Sequence, residues 1–169
     1  FKRVLTNVKT RGTWGEVQLK ELLSDMLVDS QWEANVKTRP NSDAQVEFAI
    51  KLPGSGQREQ IWLPVDSKFP QEDYLRMLES QDRSDHTEVE NSRKKLENAV
   101  IKAAGDIQDK YLEPPYTTDF GVLFLPTEGL YAEVLRRPRV FDKLQSMKIC
   151  LAGPTTFCAL LNSLQMGFR

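Results

Sequence analysis

Two apolar stretches either side of a turn cluster constrain this chain more than any other feature. Residues Gln45 to Leu52 alternate, with Val46, Phe48, Ile50 and Leu52 set against Gln45, Glu47 and Lys51. A period of two is the mark of a half-buried strand. Residues 61–66, Ile-Trp-Leu-Pro-Val-Asp, are rich in apolar, β-branched and aromatic side chains, as strands are. Between them lies Pro53-Gly54-Ser55-Gly56, a run of turn residues. The expectation is an antiparallel hairpin of Gln45–Leu52 with Arg58–Asp66. A register that sets Val46 against Leu63 and Phe48 against Ile61 puts apolar on apolar along one face. It also puts Asp43 opposite Asp66. Shifting by one residue pairs Phe48 with Trp62 and mixes the faces, so the first register is preferred; a bulge would change it.

The second strand ends in Asp66-Ser67-Lys68. Side chains at i and i+2 share a face of a strand, so Asp66 and Lys68 stand side by side. A surface ion pair is the plain reading. With Asp43 across the hairpin, two carboxylates and one lysine converge at one end. Opposed Cβ atoms lie ~5 Å apart, close enough for both carboxylates to share a hard divalent cation.

The 169 residues suit a single domain with a sizeable core. Charged residues make up 28% and the net charge is −1, so any contact with nucleic acid must rest on local basic patches. Cys150 and Cys158 lie in apolar segments and read as reduced core residues. No apolar run reaches the ~18 residues of a membrane span, and there is no signal peptide. The chain starts at Phe1 and stops at Gly167-Phe168-Arg169 inside an apparent helix. It is expected to be a piece of a longer protein whose other parts hold an anchor or a coiled coil.

In order along the chain, Phe1–Arg11 is short and basic, read as the tail of an upstream helix. Thr13–Val28 reads as a helix with Leu19, Leu22, Leu23, Met26 and Leu27 in one stripe. Thr13 is its expected N-cap, with Glu16 completing a capping box. Equally, Glu16 lies at the edge of the stripe and points a carboxylate toward a site beside the sheet; both readings stay open. Gln31–Arg39 reads as a third strand, and Gln71–Glu79 as a short helix. His86 reads as a solvated surface residue. A long helix over 87–112 carries a seam of Leu96, Val100, Ala103, Ile107 and Tyr111, which also gives a surface for self-association through helices. Arg93, Lys94, Lys95 and Lys102 decorate it; a solvated face is the default, contact with DNA phosphates the alternative. Phe120–Leu125 and Lys148–Ala152 are apolar runs of the kind that form strands buried on both faces. Helices follow over 126–136, 138–146 and from Gly153-Pro154-Thr155-Thr156. That last turn can receive a phosphate or carboxylate, though a strand-to-helix connection with a threonine cap is commoner. The element order predicts an α/β (α+β) domain, an antiparallel meander joined by later strands into a mixed sheet of about five strands.

Specific residues carry a resemblance. Gly12-Thr13-Trp14-Gly15-Glu16-Val17-Gln18-Leu19, Val65-Asp66-Ser67-Lys68, Asp119-Phe120 through Phe124-Leu125-Pro126, and Pro154-Thr155-Thr156 resemble, in the same order, the sequence blocks of the RmuC family of bacterial DNA recombination proteins. The resemblance covers nearly the whole chain. It implies a restriction-endonuclease-like PD-(D/E)xK core and a metal-dependent DNA nuclease. In that pattern Asp43 is the first acid, Asp66 and Lys68 are the D-x-K, and Glu16 is the acid on the first helix. Ser42 stands where the motif has proline. Asp43 and Asp66 would then hold Mg2+ or Mn2+, Lys68 would handle the proton, and Lys94, Lys95 and Lys102 would touch DNA. The alternative is an inactive nuclease-fold domain that binds DNA or a recombination partner as a scaffold. Full-length members imply a cytoplasmic domain anchored to the inner membrane only through segments outside this chain.

Overall fold

The computed structural model describes residues 8–54, 56 and 58–167. Helix α1 spans Val8–Met26, and a 3-10 turn at Asp29–Gln31 leads into β1, Trp32–Val36. Strands β2, Val46–Pro53, and β3, Gln60–Ser67, complete an antiparallel meander. Helices α2, Gln71–Asp82, and α3, His86–Tyr111, form the crossover to β4, Gly121–Phe124. Helices α4, Glu128–Leu135, and α5, Pro138–Ser146, lead to β5, Ile149–Ala152. Helix α6, Pro154–Gly167, follows. The sheet order is β1-β2-β3-β4-β5, with β4 and β5 added in parallel to β3. This is the mixed five-stranded α/β architecture that the element order predicts.

The interior strand β4 shows why the two layers hold together. Val122 and Phe124 pack on one side with Leu19, Leu23, Phe157 and Leu161 of α1 and α6. Leu123 and Leu125 pack on the other with Leu96, Val100, Ile107 and Leu130 of the crossover and α4. Successive residues of a strand face opposite ways, so a continuous apolar run is what a strand covered twice requires.

Four local expectations are corrected. Helix α1 already runs from Val8, so Thr13 and Glu16 are interior and not its N-terminus; the reading of Phe1–Arg11 falls mostly outside the described residues, as does Phe168. On α3 the fully buried alanine is Ala104, with Ala103 only half-buried. Arg93 is not a solvated decoration: its Nε lies 3.1 Å from Oε1 of the buried Glu133 and ties α3 to α4. Finally, β5 is an edge strand, so only Ile149 and Ala152 are buried and Cys150 is exposed. Both cysteines are free thiols.

The hairpin register differs from the expected one. The structure pairs Phe48 with Val65 and Ile50 with Leu63. This moves the partner of every β3 residue along β2 by an even number of positions. An even shift preserves which side chains face inward, so alternation alone does not discriminate between the two. The loop decides. Pro53 and Gln60 form the last pair, and Gly54 N–H donates to the Glu59 carbonyl at 3.1 Å. A Cβ at Gly54 would lie 2.3 Å from the Arg58 carbonyl oxygen, so the closure requires glycine.

Candidate active site at the end of the hairpin

With the observed register, Asp43 does not face Asp66. It lies in the loop before β2, its side chain fully exposed and paired at 3.2 Å with Lys37. That loop is pinned elsewhere: Thr38 Oγ1 donates to the Tyr111 carbonyl at 2.7 Å, and Arg39 reaches Glu113 and the Asp109 carbonyl. Continued one step past Phe48–Val65, the register sets Glu47 opposite Asp66. Glu47 N–H points at Asp66 Oδ1 at 3.4 Å. Its Oε1 accepts from Ser67 N–H at 2.8 Å and from Ser67 Oγ at 2.7 Å. Glu47 is thus the acid that sequence reasoning misses. The available signal is a carboxylate inside an alternating strand, which the alternation by itself assigns to a solvated face.

Neighbouring elements are shaped around this cluster. A Cβ at Gly15 would sit 3.3 Å from Ser67 Oγ and 3.4 Å from Pro126. Helix α1 therefore touches the end of β3 at a glycine, and the next residue is Glu16. Trp14 packs against Phe69 with ring centroids 5.5 Å apart and the rings tilted at 41°, which fixes α1 against the segment after Lys68. On the other flank, Asn35 adopts φ +53° and drops out of the β1–β2 ladder where Glu47 would be its partner. Asparagine tolerates this left-handed conformation better than most residues. Lys68 is exposed, while its N–H donates to the Phe124 carbonyl at 3.0 Å. The backbone is held and the ammonium is left in water. The structure thus brings together Glu16, Glu47, Asp66 and Lys68, and leaves Asp43 outside.

The electrostatics follow from crowding. Burial, then the charge of Asp66, pushes Glu47 up to about 8, against the lowering effect of the hydrogen bonds from Ser67; a hydrogen bond with the Glu16 carboxyl raises it further. Burial pushes Asp66 up to about 6 and Glu16 adds to this, while the Glu47 N–H, Lys68 and Lys110 pull it down. Lys68 and Lys110 together do not neutralise three carboxylates. A pH dependence follows. Between the ordinary values of 4.5 and 3.8 and the raised ones, the folded state keeps protons that the unfolded state has lost. Stability without divalent cations therefore falls as pH rises through this window and levels off above about 8. Thermal melts from acid to mildly alkaline pH should show this slope, and Glu47→Gln should flatten its upper part; a wild-type midpoint that rises steadily from acid to pH 8 would contradict it.

The donor set suits a hard cation. It is all oxygen, half-buried and short of positive charge. Among the described residues, no group of three or more His, Cys, Asp or Glu side chains is arranged to hold a metal ion. That argues against an all-protein cage and is compatible with Mg2+, which takes one or two carboxylates and keeps several waters. The other suggested anion site is filled from within: Glu128 Oε1 accepts from Thr155 N–H at the start of α6, and Thr156 Oγ1 accepts from Gly153 N–H. A phosphate has no place there.

A mixed five-stranded α/β domain with an acid–lysine cluster at the end of its central hairpin is the class these features define. The chain belongs to the RmuC family, whose model matches residues 1–169. It is 54% identical over 171 residues to a DNA recombination protein RmuC homolog of Xylella fastidiosa, a match that covers 100% of this chain and 38% of that protein. Namesakes from Chlamydia trachomatis, 27% identical over 165 residues, and Pseudomonas aeruginosa, 24% over 172, are matched over 95% and 99% of this chain and 35% and 37% of their own lengths. The chain thus spans under two fifths of the relatives it matches. No solved structure matches it. No helix among the described residues is long and apolar enough to cross a membrane.

Proposed function

We propose that this domain hydrolyses phosphodiester bonds in DNA during recombination, using a divalent cation, Mg2+ or Mn2+. The observation that carries the reading is the meeting of Glu47, Asp66 and Lys68 at one end of the hairpin, with Glu16 beside them. It takes Glu47 as the first acid in place of Asp43, within a nuclease-like PD-(D/E)xK core. Glu47 and Asp66 would hold the cation, and Glu16 would assist. A bound divalent cation supplies Lewis-acid polarisation of the phosphate and a more acidic water. Ser67 orients Glu47 through two hydrogen bonds, so the carboxylate is aimed before any ligand arrives. Lys68, anchored through its backbone, would take the proton of the attacking water and face the negative charge that develops on the phosphate. The test is a cleavage assay of the purified chain on single-stranded, duplex and branched DNA, with and without Mg2+ or Mn2+. Cleavage that depends on the metal and is lost in Asp66→Ala supports the reading. A well-folded protein that cuts no form of DNA leaves only a binding domain.

The lysines of α3 fit a DNA path. Ala99 lines the cavity next to Lys68, and Lys95 and Lys102 lie at i−4 and i+3 from it, hence on the same helix face; Lys94 is adjacent, and all three are exposed. Replacing Lys95 and Lys102 by alanine together should weaken DNA binding and reduce the salt slope by ~0.9 for each duplex phosphate that is no longer neutralised. An unchanged slope returns them to plain solvation.

A further inference from the structure

A second cavity lies at the other end of β3, and its lining has the opposite character to the acid cluster. It encloses about 520 Å3 and is bordered by Lys37, Arg39, Asp43, Arg58, Trp62 and Tyr116, among others. That volume falls within the ~300–1,000 Å3 of small-molecule sites. Three cations stand there against one carboxylate, in a chain whose net charge is −1.

The cations are held by the fold. Arg39 ties the loop before β2 to Glu113 and the Asp109 carbonyl, which engages two of its five N–H donors. The pair of Lys37 with Asp43 is exposed on both sides, a kind that contributes little, so a phosphate can take the place of the carboxylate. Arg58 makes no ion pair among the described residues and lies half-buried, its guanidinium 3.8 Å from the centroid of the Tyr116 ring. Guanidinium planes and aromatic rings are the two side-chain surfaces on which unpaired bases stack. Tyr116 is itself placed by its backbone: its carbonyl accepts from Trp62 N–H at 3.1 Å, and its N–H donates to the Glu113 carbonyl at 2.9 Å.

Cations beside aromatic rings are what a single strand of nucleic acid requires, charge to track its backbone and flat surfaces to receive its bases. A duplex keeps its bases in its own stack and offers such a recess only phosphates. An acidic peptide would use the charges and leave the rings idle. Position agrees with the first. Trp62 and Asp66 are four residues apart on β3 and so share a face, ~13 Å apart along the strand.

We propose that this cavity binds one nucleotide of single-stranded DNA, with the base packed against the Arg58–Tyr116 pair and the backbone phosphate held by Lys37 and Arg39. The proposal names the form of DNA that the phosphodiester reading leaves open. It rests on that reading only for the bound strand being the one that is cut; the binding is a separate claim.

The experiment follows the fluorescence anisotropy of a short labelled oligothymidylate, and of a duplex of equal length, as protein is added in EDTA. Tyr116→Ala keeps the backbone bonds that place the residue and should leave the fold intact. It should weaken oligothymidylate binding by roughly five- to a hundred-fold, the worth of one stacked base, and leave duplex binding unchanged. Arg58→Lys keeps the charge and loses the planar stack, so it should weaken oligothymidylate binding with the salt slope preserved. Lys37→Ala should reduce that slope by ~0.7, the share of one single-strand phosphate. A wild-type protein that does not bind the oligothymidylate overturns the proposal. So does a folded Tyr116→Ala that binds it like the wild type, or that loses both DNA forms equally. If Tyr116→Ala fails to fold, Arg58→Lys with unchanged affinity overturns it. Displacement of the labelled strand by polyglutamate as readily as by unlabelled oligothymidylate means that charge alone holds it, and overturns it too. The hydrolysis reading fails separately: a protein that binds as expected but cuts no DNA in Mg2+ or Mn2+ sinks that reading and leaves this one standing.

Discussion

Lys68→Ala should reduce metal-dependent DNA cleavage by ~10²–10⁴-fold, the usual worth of a positioned proton-transfer group. It should do so while leaving the fold and most of the metal affinity in place. The side chain is exposed and its anchoring bond to Phe124 is made by the backbone, so truncation removes no packing. Lysine is also no ligand for a hard cation under these conditions. Asp66→Asn should behave differently. It removes a carboxylate from the donor set, so metal binding and cleavage should fall together. Melting curves with and without Mg2+ separate the two, because a cation that binds only the folded state raises the midpoint. In Lys68→Ala the Mg2+-induced rise should persist; in Asp66→Asn it should shrink. If cleavage by Lys68→Ala equals that of the wild type at matched Mg2+, lysine is not the base. If wild type and both variants melt alike at every Mg2+ concentration, the acids do not hold a cation.

Phe157→Ala should destabilise the domain by about 3–5 kcal/mol. Phe157 of α6 is fully buried and lies 5.4 Å, centroid to centroid, from the equally buried Phe124 of β4, at an interplanar angle of 59°. The pair joins α6 to the middle of the sheet. Truncation leaves a void beside Phe124, within a cluster that also holds Leu19, Leu23 and Leu161, all on regular elements that do not collapse easily. Chemical denaturation would show the effect as a lower midpoint with the slope preserved. A change below about 1 kcal/mol would mean that α6 repacks freely. Phe124 pairs with Ser67 and its carbonyl holds the Lys68 N–H, so activity per folded molecule should fall as well.

Much of this architecture is legible in the residues. Pro138 opens α5 where a proline at the first helical turn is expected, and Thr127 caps α4 by accepting from Leu130 N–H at 3.1 Å. The run Phe120–Leu125 announces a strand covered on both faces, and β4 is one. The site is only half legible, for a definite reason. Asp66 lies at the end of β3 and Lys68 directly follows that strand, so their proximity is a local property of the chain. The first acid depends on pairing between strands, and pairings displaced by an even step satisfy the same inward-facing pattern. Choosing Glu47 over Asp43 requires knowing that the turn closes at Gly54 and Glu59 and not within Pro53–Gly56. Cys150 is misplaced because an apolar run does not reveal whether its strand ends up at the centre or the edge of a sheet.

The parallel addition of β4 to β3 sets an order on how the molecule comes together. Closing the short loop between β2 and β3 costs roughly 1.6 kcal/mol of chain entropy, whereas joining β3 to β4 across residues 68–120 costs roughly 3.5 kcal/mol before any contact repays it. Local contacts form sooner than distant ones. The meander of β1, β2 and β3 is thus the early piece, and β3 keeps an open edge beside Asp66 until α2 and α3 have packed. The crossover that delays this step also carries the lysines of α3. One wall of the cavity next to Lys68 is therefore in place only when the sheet is finished, and a partly folded chain exposes its acids without the α3 lysines that would engage DNA.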